Sequence, residues 1–156
     1  MAETSPAAPE SNQSSLFLVD TSALARWHQE PVRHVLTALL HDHLAATCVT
    51  VDLEATYSAR TSSEVEQIAD SRRQLYVVLP ITEAIAERAR EVQVLMAGAG
   101  LHRAAGAFDL ITAAVAEHHG ATLLHYDGDF EHIASVTGQP HRWIAPRGSL
   151  DQPPRS

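Results

Sequence analysis

The sequence predicts an α/β fold around a mainly parallel sheet, and two features of the chain carry that prediction. Short, continuous apolar runs recur along it, beginning with Leu16-Phe17-Leu18-Val19, and most end at a turn or stop residue. Runs of this kind read as strands buried on both faces. Between them lie stretches whose apolar residues recur at helical spacing. Strand–helix alternation implies βαβ units with right-handed crossovers. In such a sheet ligands bind beyond the carboxyl ends of the strands, so Asp20, which ends the first run, stands where chemistry is expected.

Taken in order, Thr21 or Ser22 can cap a short helix over 23–27. Pro31 opens a second helix, 32–43, with Val35, Leu36, Leu39 and Leu40 on one stripe. Residues 44–48 form a second strand, and Thr50 reads as the N-cap of a helix over 51–60 that carries Asp52, Glu54 and Tyr57. Another helix starts at Thr61 or Ser62. Tyr76-Val77-Val78-Leu79, stopped by Pro80, is the third strand. Thr82 caps the helix 83–96, whose stripe is Ile85, Ala89, Val92 and Met96, and Gly98-Ala99-Gly100 ends it. A helix from about 105 to 119 stops at Gly120 and leads into a fourth strand, 121–126. Asp127-Gly128-Asp129 is a turn, 130–137 a short helix closed by Gly138, and 141–144 a fifth, edge strand.

A length of 156 residues suits one domain, read here as 16–146. Residues 1–15 form a polar, Ala/Pro/Ser-rich tail expected to be disordered, with neither the basic start nor the apolar centre of a signal peptide. Residues 147–156 form a polar C-terminal tail. The single cysteine, Cys48, excludes an internal disulfide and points to a reducing, cytoplasmic setting. No apolar run approaches the roughly 20 residues that span a bilayer. The net charge of −8 argues against a protein that simply coats nucleic acid. All 11 basic residues are arginines, which excludes mechanisms that need a lysine.

Four carboxylates map to one edge of this scheme: Asp20 after the first strand, Glu54 in the first turn of the helix after the second, Asp109 near the start of the helix before the fourth, and Asp127 after the fourth. Each has a plainer reading. Asp20 can be a helix cap, Glu54 a first-turn acid that favours the helix dipole, and Asp127 and Asp129 turn residues. Asp109 lies in an otherwise apolar helix, where an unpaired carboxylate is expensive. Together the acids are costly, because two unit charges about 4 Å apart repel by about 4 kcal/mol at an effective dielectric near 20; either their pKa values rise or a hard divalent ion neutralises them. Oxygen ligands select Mg²⁺ or Mn²⁺, and a metal among acids suits phosphodiester hydrolysis.

The chain resembles PIN-domain ribonucleases, in particular toxins of the VapC type. The matching residues are Val19-Asp20-Thr21-Ser22-Ala23-Leu24, Asp52-Leu53-Glu54 with Tyr57-Ser58-Ala59-Arg60, Phe108-Asp109-Leu110-Ile111-Thr112-Ala113-Ala114, and Leu123-Leu124-His125-Tyr126-Asp127-Gly128-Asp129-Phe130. The resemblance implies a three-layer α/β/α PIN-like fold with a four- to five-stranded central sheet. It implies a Mg²⁺-dependent endoribonuclease, with Mn²⁺ as a substitute, that cleaves RNA such as tRNA or rRNA. It further implies neutralisation by a cognate VapB antitoxin, and a homodimer. Asp20, Glu54, Asp109 and Asp127 carry over as catalytic acids, with Asp20, Asp109 and Asp127 as metal ligands. Thr21, Ser22 and Asp129 carry over as support, and either Asp127 or Asp129 as the fourth acid. His125 stands where the family often has threonine, and reads either as a phosphate or metal contact or as a packed residue.

RNA is expected to approach along arginines, with Arg26, Arg60, Arg72, Arg73 and Arg103 as candidates. Other readings fail on particular residues. A receiver domain needs a lysine, and a haloacid-dehalogenase-like phosphatase needs an acid where Ser22 stands. Asp127, Asp129 and Glu131 lack most of a calcium-loop pattern, and His118-His119 has no zinc-binding context. The remaining alternative is a catalytically inactive PIN-like domain that binds RNA or protein.

Overall fold

Five parallel strands form one sheet in the computed structural model, which describes residues 15–151. The strands are β1 (Phe17–Val19), β2 (Ala45–Thr47), β3 (Val77–Val78), β4 (Thr122–His125) and β5 (His141–Trp143), in the order β3-β2-β1-β4-β5. Phe17 pairs with Ala45 on one side and Thr122 on the other, and Leu124 pairs with Arg142. The strand order reverses between β1 and β4, so the ligand crevice of an open parallel sheet is expected beyond their carboxyl ends. Residues 1–14 of the N-terminal tail and 152–156 of the C-terminal one lie outside the described residues.

Each strand sends alternate residues to opposite faces, and each face has its own core. On one face Leu18, Ala46 and Leu123 meet Val51 of α3 (Val49–Thr56), Ile85, Val92 and Met96 of α5 (Glu83–Gly98), Val115 of α6 (Ala107–His118), and Phe130 and Ile133 of α7 (Asp129–Thr137). On the other, Val19, Ala45 and Leu124 meet Ala23 of α1 (Thr21–Leu24) and Val32 and Leu36 of α2 (Glu30–His41), together with Tyr126 and Ile144. The result is a three-layer α/β/α fold. The remaining helix, α4 (Ser62–Leu75), packs on α3. At the opposite edge from β5, Val77 and Val78 of β3 stay exposed.

The cap of α3 differs from the sequence reading, and the cap of α1 is the plainer of the two readings of Asp20. Asp20, not Thr21 or Ser22, is the N-cap of α1 and accepts from the Ser22 amide at 2.9 Å. Cys48, not Thr50, occupies the N-cap position of α3. The Thr50 hydroxyl is buried within the helix instead, 2.7 Å from the Thr112 hydroxyl on α6 and 3.1 Å from Cys48 Sγ. It joins two helices there.

Helix α3 also starts earlier and ends at Thr56 rather than Arg60, so Glu54 sits in its second half and Asp52 is the first-turn acid. Elsewhere the stop and start signals act as read: Thr61 and Thr82 cap α4 and α5, and Gly138 ends α7 in the left-handed region at φ 71°. At the C-terminal side, Leu150 packs against the second core. Its amide donates to the Tyr126 hydroxyl at 3.0 Å, and Arg26 meets Asp151 at 3.5 Å.

A candidate acidic active site

The acids reach the carboxyl edge of β1 and β4 by three local routes. Asp20 leaves β1 directly, is only 4% exposed, and is fixed as the cap of α1. Burial pushes its pKa above the ordinary carboxylate value; hydrogen bonding to Ser22 opposes this, and the charge of Glu54 adds to it. Ser22 Oγ accepts from the Tyr126 amide at 2.9 Å, which ties the end of β1 to the end of β4. Thr21 Oγ1 donates to Glu54 Oε2 at 2.7 Å. The two hydroxyls therefore join Asp20 to the strand beside it and to the acid above it.

Asp109 enters from α6, where it is the third residue, and its Oδ2 accepts from the Gly106 amide at 2.9 Å. Burial raises its pKa to about 6; the Gly106 bond opposes this, and the charges of Asp20, Asp127 and Asp129 add to the rise. That dependence records the convergence of four acids drawn from β1, α6 and the β4–α7 turn. A Cβ on Gly106 would lie 3.3 Å from Asp109 Oδ2, so glycine leaves the carboxylate its room.

Asp127 follows β4, and its Oδ1 accepts from the Asp129 amide at 3.0 Å, closing the turn into α7. Asp129 is raised by its own burial first and then by the neighbouring charge of Asp127. Both acids thus stand at the edge, and Asp127 orients the turn that carries Asp129.

All the donors here are carboxylate oxygens, the chemistry a hard divalent ion takes, and among the described residues no arginine charge lowers the pKa of the buried Asp20. In their present placement, however, no three His, Cys, Asp or Glu side chains among the described residues stand close enough to hold one ion together. Each carboxylate is also occupied locally, by the amides of Ser22, Gly106 and Asp129 and by the Thr21 hydroxyl.

The arginines divide. Arg60 and Arg103 are exposed. Arg26 lies over the Tyr126 ring, 4.2 Å from its centroid, and donates to the Ser22 carbonyl at 2.9 Å. Arg73 is exposed and paired with Asp70. Arg72 does not belong on an RNA-facing surface: it is 7% exposed and donates at 2.6 Å to both Asp52 Oδ1 and Thr47 Oγ1. Helical periodicity missed it because it serves as the buried link between α4, α3 and β2.

His125 is likewise fully buried. Its pKa is lowered to about 4, by burial first and by the nearby His141 second, against the opposing charges of Asp127 and Glu131. Its ring packs within the sheet edge, in line with the packed reading.

Beside the acids a groove of about 820 Å³ runs between α1, α2, α3 and α4. Trp27, Leu40, Ile68 and Leu75 line it, and Thr21 and Glu54 stand at one end. Sequence alone could not place this groove, because its walls come from four separate helices.

Comparison with known proteins agrees with this architecture. The model of the PIN domain family matches residues 17–136. The chain is 40% identical over 133 residues to ribonuclease VapC21 of Mycobacterium tuberculosis, covering 85% of this chain and 96% of that protein. It is 37% identical over 135 residues to ribonuclease VapC51 of the same organism, covering 86% and 97%. Among solved structures, VapBC2 of Rickettsia felis bound to a promoter DNA fragment superposes with a TM-score of 0.67 at 16% identity, over 82% of this chain and 98% of that one. DNA-bound VapBC of Salmonella typhimurium gives 0.66 at 17%, over 84% and 99%. These last two speak for the fold alone. Over nearly its whole described length, then, the chain belongs to the PIN domain family, with VapC ribonucleases as its relatives.

Proposed function

We propose that this protein is a metal-dependent endoribonuclease, a hydrolase of phosphodiester bonds, and the toxin of a VapBC-type toxin–antitoxin pair. The observation that carries the reading is the uncompensated acid edge. Asp20 is buried with its pKa raised, and Asp109 is pushed to about 6 under the charges of Asp20, Asp127 and Asp129. A fold retains such a cluster at a cost, and a divalent ion removes that cost. Asp20, Asp109 and Asp127 would hold Mg²⁺ or Mn²⁺. A bound ion of this kind supplies an activated water and neutralises charge on the scissile phosphate.

The chain's own residues do the rest. Glu54, held by Thr21, orients the attacking water, and Asp129 supports the turn that presents Asp127. Ser22 keeps the ends of β1 and β4 together, so the carboxylates stay in register. Exposed Arg60 and Arg103 offer the RNA backbone positive charge in an otherwise acidic molecule. The names of the relatives support RNA as substrate; tRNA or rRNA is the class proposed.

A VapB-type antitoxin is the partner proposed, as in the VapBC structures that share this fold. The apolar groove that opens onto Glu54 suits a partner helix. Val94 and Leu95 of α5, exposed by 71% and 44%, offer apolar surface to a second copy, which fits a homodimer. No described helix is long and apolar enough to cross a membrane, and a cytoplasmic site of action is proposed.

One observation favours a second reading, a catalytically inactive module that binds RNA or protein: among the described residues, no three His, Cys, Asp or Glu side chains stand within reach of one ion. RNA cleavage in Mg²⁺ or Mn²⁺, with and without EDTA, separates the two. The nuclease reading predicts cleavage by the wild type that EDTA abolishes and that Asp20→Asn lacks. Equal cleavage by both proteins, or cleavage that EDTA leaves untouched, would sink it.

A further inference from the structure

His125 has no task in the hydrolysis outlined above, yet both of its ring nitrogens are engaged. The Asp127 amide lies 3.1 Å from Nδ1. A backbone N–H only donates, so Nδ1 carries the lone pair and the ring proton sits on Nε2. Nε2 in turn donates to His141 Nδ1 at 2.9 Å. This sets one tautomer for His125 and requires an acceptor at residue 141. Phe130, His141 and Trp143 surround the ring, with centroids 5.2, 5.1 and 5.0 Å away. Trp143 is itself anchored, donating from Nε1 to Glu131 Oε1 at 2.7 Å. The ring is therefore gripped on its faces and at both nitrogens.

We propose that His125 is a positioning residue for the fourth acid: its Nδ1, held in orientation by His141 on the edge strand β5, clamps the Asp127 backbone and so sets the position from which the Asp127 carboxylate would hold a divalent ion. This rests on the reading of the acid edge as a metal site. It gives β5, which contributes no acid, a part in the site: the edge strand orients the ring, the ring holds the Asp127 amide, and the Asp127 carboxylate holds the turn to Asp129. A residue that merely filled space at position 125 would leave the Asp127 amide without this acceptor.

Three variants separate clamping from packing. His125→Asn keeps an acceptor where Nδ1 stands. His125→Gln keeps an amide near the Nε2 position and loses that acceptor, and His125→Leu keeps comparable bulk and neither polar group. Two quantities are read below each variant's melting temperature: hydrogen exchange at the Asp127 amide, and Mn²⁺ affinity. The clamp predicts a protected Asp127 amide in the wild type and in His125→Asn, and a released one in His125→Gln and His125→Leu. Mn²⁺ affinity falls about 10- to 100-fold in the latter two, the usual loss when a group that orients a metal ligand is removed, and recovers to within a few-fold in His125→Asn.

If His125→Leu does not fold, the Asn and Gln variants carry the comparison. Equal exchange in all proteins, or an Asn variant no better than Gln, overturns the clamp. If the wild type binds no Mn²⁺, the metal-site reading fails on its own, and the exchange data still decide whether His125 holds Asp127.

Discussion

Two carboxylates two residues apart on α3, Asp52 and Glu54, belong to different regions with opposite electrostatics. Asp52 faces the inside of the β2–α4 corner, where Arg72 and Thr47 complete a buried polar set. Glu54 faces the acid edge, where Thr21 is its hydrogen-bond donor and Asp20 its charged neighbour. Every buried side-chain nitrogen and oxygen among the described residues has a hydrogen-bond partner, so neither region is short of hydrogen bonds. They differ in charge: the corner carries its own cation, Arg72, and among the described residues the edge has no basic side chain that lowers the pKa of Asp20 or Asp109. An acid paired with a buried arginine serves the fold, whereas at the edge burial and the charges of Asp20, Asp127 and Asp129 raise the pKa of Asp109, which is what the proposed metal site rests on.

The sharpest way to break this comparison is to neutralise one acid in each region. Asp20→Asn is expected to lower RNA cleavage in Mg²⁺ by about 100-fold or more, while the melting temperature holds or rises. Asparagine caps helices as well as aspartate does, and it carries no buried charge. Cleavage rates and thermal unfolding of the same preparations check both halves.

Arg72→Leu should do the reverse. Breaking a buried ion pair from one side costs about 3–5 kcal/mol. Asp52 keeps 30% of its side chain exposed, so a loss nearer 2 kcal/mol is expected, read as the urea midpoint at neutral pH. Cleavage measured below its melting temperature should stay near the wild-type rate.

Asp109 sharpens the comparison through pH. Its folded pKa, about 6, lies above the ordinary value of 3.8. Between those values the unfolded chain loses its proton while the folded one keeps it, so stability falls as pH rises from about 4 to 6 and stays lower above that. Asp109→Asn should therefore stabilise the protein by about 1–2 kcal/mol at pH 7 and by nothing below pH 4. Unfolding curves across that range test it, and saturating Mg²⁺ should erase the wild type's disadvantage at neutral pH.

The smallest effect expected is on RNA binding. Removing Arg60 and Arg103 together should flatten the dependence of log K on log salt by about one to two units of slope. Arg73→Ala, already paired with Asp70, should change it least. An unchanged slope in the double variant would move the RNA path elsewhere.

Much of the acid edge was legible in the sequence because it follows from strand order. Short apolar runs placed the strand ends, and the acids after β1 and β4 come together because those strands are neighbours. Asp20 shows that the plain and the functional reading need not compete: it caps α1 and also stands at the edge. The position of Glu54 was misread by two residues, about half a turn, since helix α3 begins at Val49 and no capping side chain marks the start. The Asp52–Arg72 pair was not legible, because helical periodicity assigns an arginine to solvent and carries no record of a partner 20 positions away. Thr50 with Thr112, and His125 with His141, were hidden for the same reason. Each bond joins elements whose relative placement arises only on folding.

The central proposal is that Asp20, Asp109 and Asp127 bind a divalent cation; burial, and then the charges of Asp20 and Asp127, raise the pKa of Asp109. Titrating Mn²⁺ at pH 7 while following the melting temperature tests it most directly, because a ligand that binds only the folded state stabilises it by about 2.7 kcal/mol at 100 times its dissociation constant. The account predicts a saturable rise for the wild type and for Arg72→Leu, and none for Asp20→Asn. A wild type that does not respond, or an Asp20→Asn protein that rises equally, would contradict it.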